Sequence, residues 1–467
     1  MDAHLLNKQA LASASGEALQ QAAQVLLQVV QARPDNANAC NNLGLLLLKM
    51  KQPAKAETYF FQAIKHKPDS PEFHNNLGSL YAAGGKSGEA RVCFCRAITL
   101  NPAYAEAYRN LGLLLMRQNL MPEAQACFCR AVELKPDYWQ AHSVLGRIYL
   151  AQGQYAMGWE KYEWRLKSPK WHSLPFPQWQ GEDLTGKRIL LYYEQGFGDT
   201  LQFVRYAKVV AEMAAETVLW VQPVLQRLMS SSPGRFSLQR GKRPPAGQFD
   251  FACPLMSLPR TFKAMIPQNV PYLRADPETA EKWSGILAQT GSGRKLRVGV
   301  VWAGNPRHHN DRNRSIPFSV FRQLFVVTQI HWVSLQAGQR AGDVTGVGQV
   351  KDYSRELIDF AETAGLIDNL DLVITVDSAV AHLAGGLGKE TWLLLPFAAD
   401  WRWQMQREDS PWYPTVRIFR QQTAGDWREV LERVAAALGN IVNRDAPKST
   451  ALPQQETGKN EIGEVEA

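Results

Sequence analysis

Small and apolar residues recur at one spacing through the first third of the chain. Leu-Gly pairs end at Gly44, Gly78, Gly112 and Gly146, and Pro34, Pro68, Pro102 and Pro136 keep the same 34-residue step. Between them fall Ala56, Phe60 and Ala63, then Ala90, Phe94 and Ala97, then Ala124, Phe128 and Ala131. Each triplet lies on one face of a helix. Gly and Ala let two helices approach closely, the aromatic ring fills the gap, and Pro ends the second helix. An incomplete copy precedes these repeats (Ala22, Leu26, Pro34), and a divergent one follows from Gly146 with "GWEKYEWR" where its second helix belongs. The pattern predicts a helical solenoid over residues 3–168.

The texture then changes. Residues 169–186, rich in Pro and Trp, read as a packed linker that separates two units. Beyond it, apolar strand-like runs alternate with helical patterns. "RILLYY", "TVLWV" and "FDFACPL" define a first lobe over 187–290, with a helix from about residue 199. "GSG" at 291–293 reads as a hinge. "LRVGVVWAGN", "IHWVSLQ", "LDLVITVDS" and "TWLLLP" define a second lobe over 294–440, closed by a helix at about 426–438. Strands interleaved with helices imply parallel sheets, and the restart implies two of them. The expected fold class is α plus α/β, a solenoid followed by two Rossmann-type lobes. Residues 441–467, rich in Glu, Lys, Pro and Gln, read as a disordered tail.

Composition narrows the picture only slightly. The 467 residues, 45% hydrophobic and 21% charged, are ordinary for globular protein. A net charge of +8 favours anionic ligands, yet no Lys/Arg block suggests a nucleic-acid footprint. The chain opens without an apolar stretch long enough for a signal peptide, and no run suggests a membrane span, so a cytoplasmic location is expected. Cys93, Cys95, Cys127 and Cys129 sit in "CFCRA" blocks at copied repeat positions, which argues against a zinc site. No metal site and no disulfide are expected.

Three strand ends carry polar clusters, where open α/β sheets place their ligands. In "EQGFGDT", Gly196 and Gly198 would let backbone N–H groups approach a ligand, and Asp199 either caps the helix or accepts a proton. In "VWAGNPRHHNDRNRS", Gly304 and Asn305 lead into a loop with Arg307, His308, His309, Arg312 and Arg314, whose guanidinium groups suit phosphate oxygens. In "VDSAVAHLAGGLGK", Asp377 and Ser378 open a helix whose N-terminus suits a pyrophosphate, and His382 follows one turn on. Trp401, Trp403 and Trp412 could stack on a base, but a packed core is the better reading.

The 34-residue pattern is that of tetratricopeptide repeats, arrays that present a concave face to a peptide or partner. Residues 187 to about 440 resemble a GT-B glycosyltransferase of family 9, the lipopolysaccharide heptosyltransferase-like group. The carriers are "GFGD", the Asn/Arg-rich loop and "VDSAVAHLAGGLGK", close to that family's Asp-Thr/Ser-x-x-x-His-Leu-x-x-x-Leu-Gly. The resemblance implies inverting transfer from a nucleotide diphosphate sugar, with no further cofactor. It makes Asp199 the base and puts Gly196, Gly198, Asn305, Arg314, Asp377, Ser378, Ala379 and His382 on the donor side. No Asp-x-Asp occurs in the chain, which fits a metal-independent mechanism. The first lobe is shorter than that family's acceptor half, and heptosyltransferases have no helical repeats. The layout instead resembles the protein O-GlcNAc transferases, which favours a polypeptide acceptor on the array's concave face. The rival readings are an inactive scaffold and a nucleotide-sugar epimerase.

Overall fold

The computed structural model describes residues 16–169, 174–241, 247–263, 266–267, 269–289, 295–308 and 310–445. The expected hinge at 291–293, His309, and residues 446–467 of the expected tail lie outside them, while residues 441–445 of that expected tail are helical.

The first part is an array of helices: α1 (Gly16–Ala32), α2 (Ala37–Lys49), α3 (Pro53–His66), α4 (Pro71–Ala83), α5 (Ser87–Leu100), α6 (Ala105–Arg117), α7 (Met121–Leu134), α8 (Trp139–Ala151) and α9 (Tyr155–Tyr162). From α2 onward they pack as hairpin pairs. The glycines explain the closeness of each pair. A Cβ on Gly44 would meet the Phe60 ring at 2.7 Å, and on Gly78 or Gly112 it would meet Phe94 or Phe128 at 2.8 Å. The connecting turns repeat as well, with Lys51, Gly85, Asn119 and Gly153 at φ of 59°, 79°, 60° and 76°. This left-handed position ends the first helix of each pair. The divergent last repeat is a complete pair. It closes more tightly than the others, because a Cβ on Gly146 would meet the Tyr162 backbone nitrogen at 2.5 Å. A short 3-10 turn, Glu163–Lys167, follows α9.

Two parallel sheets make up the rest. The smaller contains β1 (Arg188–Tyr192), β2 (Glu216–Trp220), β3 (Ser237–Gln239) and β4 (Phe251–Pro254), in the order β3-β2-β1-β4. The larger contains β5 (Leu296–Val301), β6 (Ile330–Ser334), β7 (Val350–Asp352), β8 (Leu372–Val376), β9 (Thr391–Leu395) and β10 (Val416–Arg420), in the order β10-β9-β8-β5-β6-β7. Every paired strand is parallel. The inner strands β8 and β9 are buried along their whole length, as helix-covered parallel strands require. Two helices matter for the site: α10 (Phe197–Phe203), after β1, and α11 (Ala379–Gly386), after β8; a longer helix, α12 (Trp427–Asp445), follows β10.

The core is not divided where the sequence texture changes. Two apolar clusters lie within the array, one from Leu19 to Leu114 and one from Ala105 to Ile148. A third runs from Leu150, Trp159 and Tyr162 through both sheets to Leu438. Trp159 packs edge-on against Phe203 and Trp401, with ring centroids 5.7 and 5.3 Å apart. The last repeat therefore shares its interior with the sheets.

Candidate active site

Strand order reverses between β5 and β8 in the larger sheet and between β1 and β4 in the smaller, and ligands bind outside such points. The loop carrying Gly304 to Arg314 leaves β5, and Asp377 to Ala379 leave β8. The turn from Glu194 to Asp199 leaves β1, and Ser257 follows β4. These two crevices meet. A Cβ on Gly198 would lie 2.8 Å from His382 Cδ2 and 3.7 Å from Ala379 Cα. The first turn of α10 thus abuts the start of α11, and Gly198 is required by that contact. Asn305 is exposed, and its Oδ1 accepts a hydrogen bond from the Arg307 backbone at 3.0 Å.

Asp199 occupies the third position of α10. Its Oδ2 accepts from the Gly196 backbone at 2.8 Å, so it does act as part of the helix cap. Its Oδ1 pairs with Arg402 Nη2, which comes from the larger sheet. Arg402 also donates to Asp400 Oδ1 at 2.8 Å and to Gln202 Oε1 at 2.7 Å. Burial raises the Asp199 carboxyl above its ordinary range, Arg402 opposes the rise, and Asp400 adds to it. The Asp199 side chain is 18% exposed.

Across the junction, Ser378 caps α11: its Oγ accepts from Val380 N at 3.2 Å and lies 3.1 Å from Thr375 Oγ1. Residues Asp377 to Val380 are partly exposed, leaving this helix start accessible. Asp377 accepts from Trp403 Nε1 at 3.0 Å, and burial together with Asp400 pushes its carboxyl up to about 6. Arg314 lies flat over Gly304, where a Cβ would come within 2.6 Å of its guanidinium. It donates to the Asp377 carbonyl at 3.1 Å, and its buried Nε, which makes no hydrogen bond, lies 3.8 Å from Asp311 Oδ1. A guanidinium beside a helix N-terminus suits an anion.

His382 is a wedge in this arrangement. Burial, helped by Arg402, holds its imidazole well below the usual histidine range, so it is neutral at pH 7. Its Nδ1 lies 2.8 Å from the Tyr413 hydroxyl, and its ring stacks on Trp403 with centroids 5.3 Å apart. Trp401, Trp403 and Trp412 are all buried, which is the packed-core reading of these side chains. Among the described residues no group of three His, Cys, Asp or Glu side chains could hold a metal ion, and no helix is long and apolar enough to cross a membrane.

Several residues of the junction carry no signal in the sequence. Gln202 and Arg205 follow Asp199 at helical spacing, and Arg205 reaches the Trp412 carbonyl at 2.9 Å and Tyr272 Oη at 3.2 Å. Asp400 and Arg402 stand in "ADWRWQ", where the tryptophans draw attention and the charges between them do not. The one available clue was a charged pair set among large apolar residues just past β9. Tyr162 and Arg165 belong to the divergent repeat, and only its departure from the pattern marks them.

Comparison with known proteins identifies the class of the first part. Tetratricopeptide-repeat models match residues 15–83, 78–119 and 109–156, so the N-terminal region is a tetratricopeptide array. Over 326 residues the chain is 28% identical to Protein FlbA of Caulobacter vibrioides, covering 62% of this chain and 53% of FlbA. The chain thus spans about half the length of that relative. Among solved structures it is similar to PilW, a type IV pilus biogenesis factor, at 24% identity and a TM-score of 0.32, over 36% of this chain and 79% of that one. PilF of Pseudomonas aeruginosa is similar at 17% identity and a TM-score of 0.35, over 44% and 84% of the two chains.

Proposed function

We propose that the junction of the two sheets is the active centre of a GT-B glycosyltransferase, similar to family 9, that uses a nucleotide diphosphate sugar. The observation that carries the reading is the meeting of the Asp199 turn with the start of α11 beside Arg314. On this reading the smaller sheet serves the acceptor and the larger one the donor. The acceptor hydroxyl oxygen attacks the anomeric carbon from the face opposite the leaving group, and configuration inverts. Its proton passes to the Asp199 carboxylate. The bond from the anomeric carbon to the phosphate oxygen breaks, and the nucleoside diphosphate departs with the electron pair. Its growing charge is met by the N–H groups of α11 and by Arg314. The acceptor is a polypeptide carried to the site by the tetratricopeptide array, whose last repeat packs on the sheets.

One observation favours the scaffold reading instead. Both oxygens of Asp199 are engaged, by Gly196 and by Arg402, as they would be in a purely structural cap. Two substitutions separate the readings. If Asp199 is the base, Asp199→Asn keeps the Gly196 cap through its one carbonyl oxygen, loses the Arg402 pair at some cost in stability, and lowers turnover by about 10²–10⁴. Asp199→Ala is equally inactive and less stable than the Asn variant, losing roughly 1 kcal/mol with the cap in addition to the Arg402 pair. If Asp199 is only a cap, the Asn variant is active, and the catalytic assignment fails. Transfer rate and melting temperature of both variants decide between them.

A further inference from the structure

The turn that carries Asp199 is fastened from the side of the repeats. Arg165, which is 8% exposed, leaves the 3-10 turn after α9 and enters the crevice between β1 and β4. There its guanidinium donates to both oxygens of Glu194, through Nε to Oε1 at 3.0 Å and to Oε2 at 3.2 Å, and through Nη2 to Oε1 at 2.8 Å. The same Nη2 donates to Ser257 Oγ at 2.8 Å, and Ser257 Oγ donates to Glu163 Oε1 at 2.6 Å. Glu163 Oε2 accepts from Arg165 Nη1 at 3.0 Å and completes the cluster. One residue along the turn, Gln195 Nε2 donates to the Tyr162 hydroxyl at 3.1 Å.

We propose that Tyr162 and Arg165 of the last tetratricopeptide repeat are positioning residues for Asp199, so that the array and the smaller sheet build the active centre jointly. The proposal rests on the reading of Asp199 as the base. Other parts of the turn are restrained locally: Gly196 N by Asp199 itself, and the Gln195 carbonyl by Gln222 Nε2 at 3.1 Å. What the turn cannot fix for itself is where Glu194 and Gln195 side chains anchor, and both anchors come from the repeat. The chemistry of the cluster points the same way. A buried ion pair adds little stability over apolar residues of the same shape, and its best-attested use is to specify one arrangement. Apolar contact already joins the repeat to the sheets through Trp159, Phe203 and Trp401. Burial raises the Glu194 carboxyl to about 7, and Arg165 acts to lower it. The charged clamp is retained for geometry.

The test uses the full chain with two changes. Tyr162→Phe removes one hydroxyl. Arg165→Met combined with Glu194→Gln removes the buried pair and leaves Glu163, 15% exposed, held by Ser257 and Gln178. Two readouts are taken: backbone amide exchange over residues 195–200, and turnover set against donor affinity. The double variant is expected to exchange at least about tenfold faster across the turn and to lose at least about tenfold in turnover, because small misplacements of a reacting group are expensive. Donor affinity should stay within about twofold, since the donor side is untouched. Tyr162→Phe should move both readouts in the same direction by about threefold. Unchanged exchange and turnover in a folded double variant would overturn the proposal. If the double variant does not fold, Tyr162→Phe decides by the same readouts. Wild-type protein that transfers no sugar from any donor would defeat the reading of Asp199, whereas the exchange result reports on the clamp independently.

Discussion

Arg402 is the side chain through which the two halves of the site meet. It ties Asp199 of the smaller sheet to Asp400 of the larger and takes Gln202 as a further acceptor. A nearby cation favours the ionised carboxylate, so Arg402 works against the rise that burial imposes on Asp199. The sign of its removal follows. In Arg402→Gln the Asp199 pKa climbs further, and Asp199 must be deprotonated to act as the proposed base. The acid limb of the rate profile should move to higher pH by about 1 unit or more. A limb that does not move would show that Arg402 leaves the base unaffected. At this scale the sequence marks which polar residues end the strands, because Asp199, Arg314, Asp377 and Ser378 all follow apolar runs into a turn. It does not mark how they pair. Arg402 meets Asp199 across 203 positions of chain, and nothing local to "ADWRWQ" encodes a partner so distant.

The contact between α10 and α11 gives the site its shape, and it depends on two glycines unequally. A Cβ at Gly198 would press on His382 at 2.8 Å, with Trp403 and Tyr413 behind that ring. At Gly196 a Cβ meets only the end of Asp199, at 3.3 Å. Gly198→Ala should therefore cost about 1–3 kcal/mol, as overpacking does, and Gly196→Ala clearly less. Thermal denaturation of the two variants checks this, and equal stability would mean the helices are not in contact as described. The elements legible in the sequence are those with long apolar runs: β1, β2, β4, β5, β6, β8 and β9. Missing from that reading are β3, β7 and β10. The first two are three-residue edge strands with half-exposed or exposed positions, too short to show a period. The third reads "VRIFR", whose arginines interrupt an apolar run at the far edge of the larger sheet. The closing helix also runs further than the apolar pattern suggests, to Asp445.

Seen as one molecule, the chain joins the last repeat of its array to its sheets by a shared core. The shift in texture at 169–186 invites a cut at about residue 172, but that cut removes Trp159, Tyr162 and Arg165 from the interior and leaves Glu194 buried without its cation. Breaking a buried pair in this way costs about 3–5 kcal/mol, a large share of a domain's stability. A fragment starting near residue 137, which keeps α8 and α9, should fold cooperatively, and one starting near 172 should not. Equal melting behaviour of the two fragments would contradict the shared core. The proposed function has the protein hold a nucleotide diphosphate sugar between Arg314 and the start of α11. The most direct measurement is the melting temperature of the full chain across a panel of nucleoside diphosphates and their sugars. One nucleotide should stabilise the protein by about 2.7 kcal/mol at a concentration 100 times its Kd. Arg314→Ala and Ser378→Ala should each weaken that binding by about tenfold or more, through loss of a charge-assisted contact of about 1.5–3 kcal/mol. A panel in which no nucleotide raises the melting temperature, or in which both variants bind as tightly as the wild type, would contradict the account.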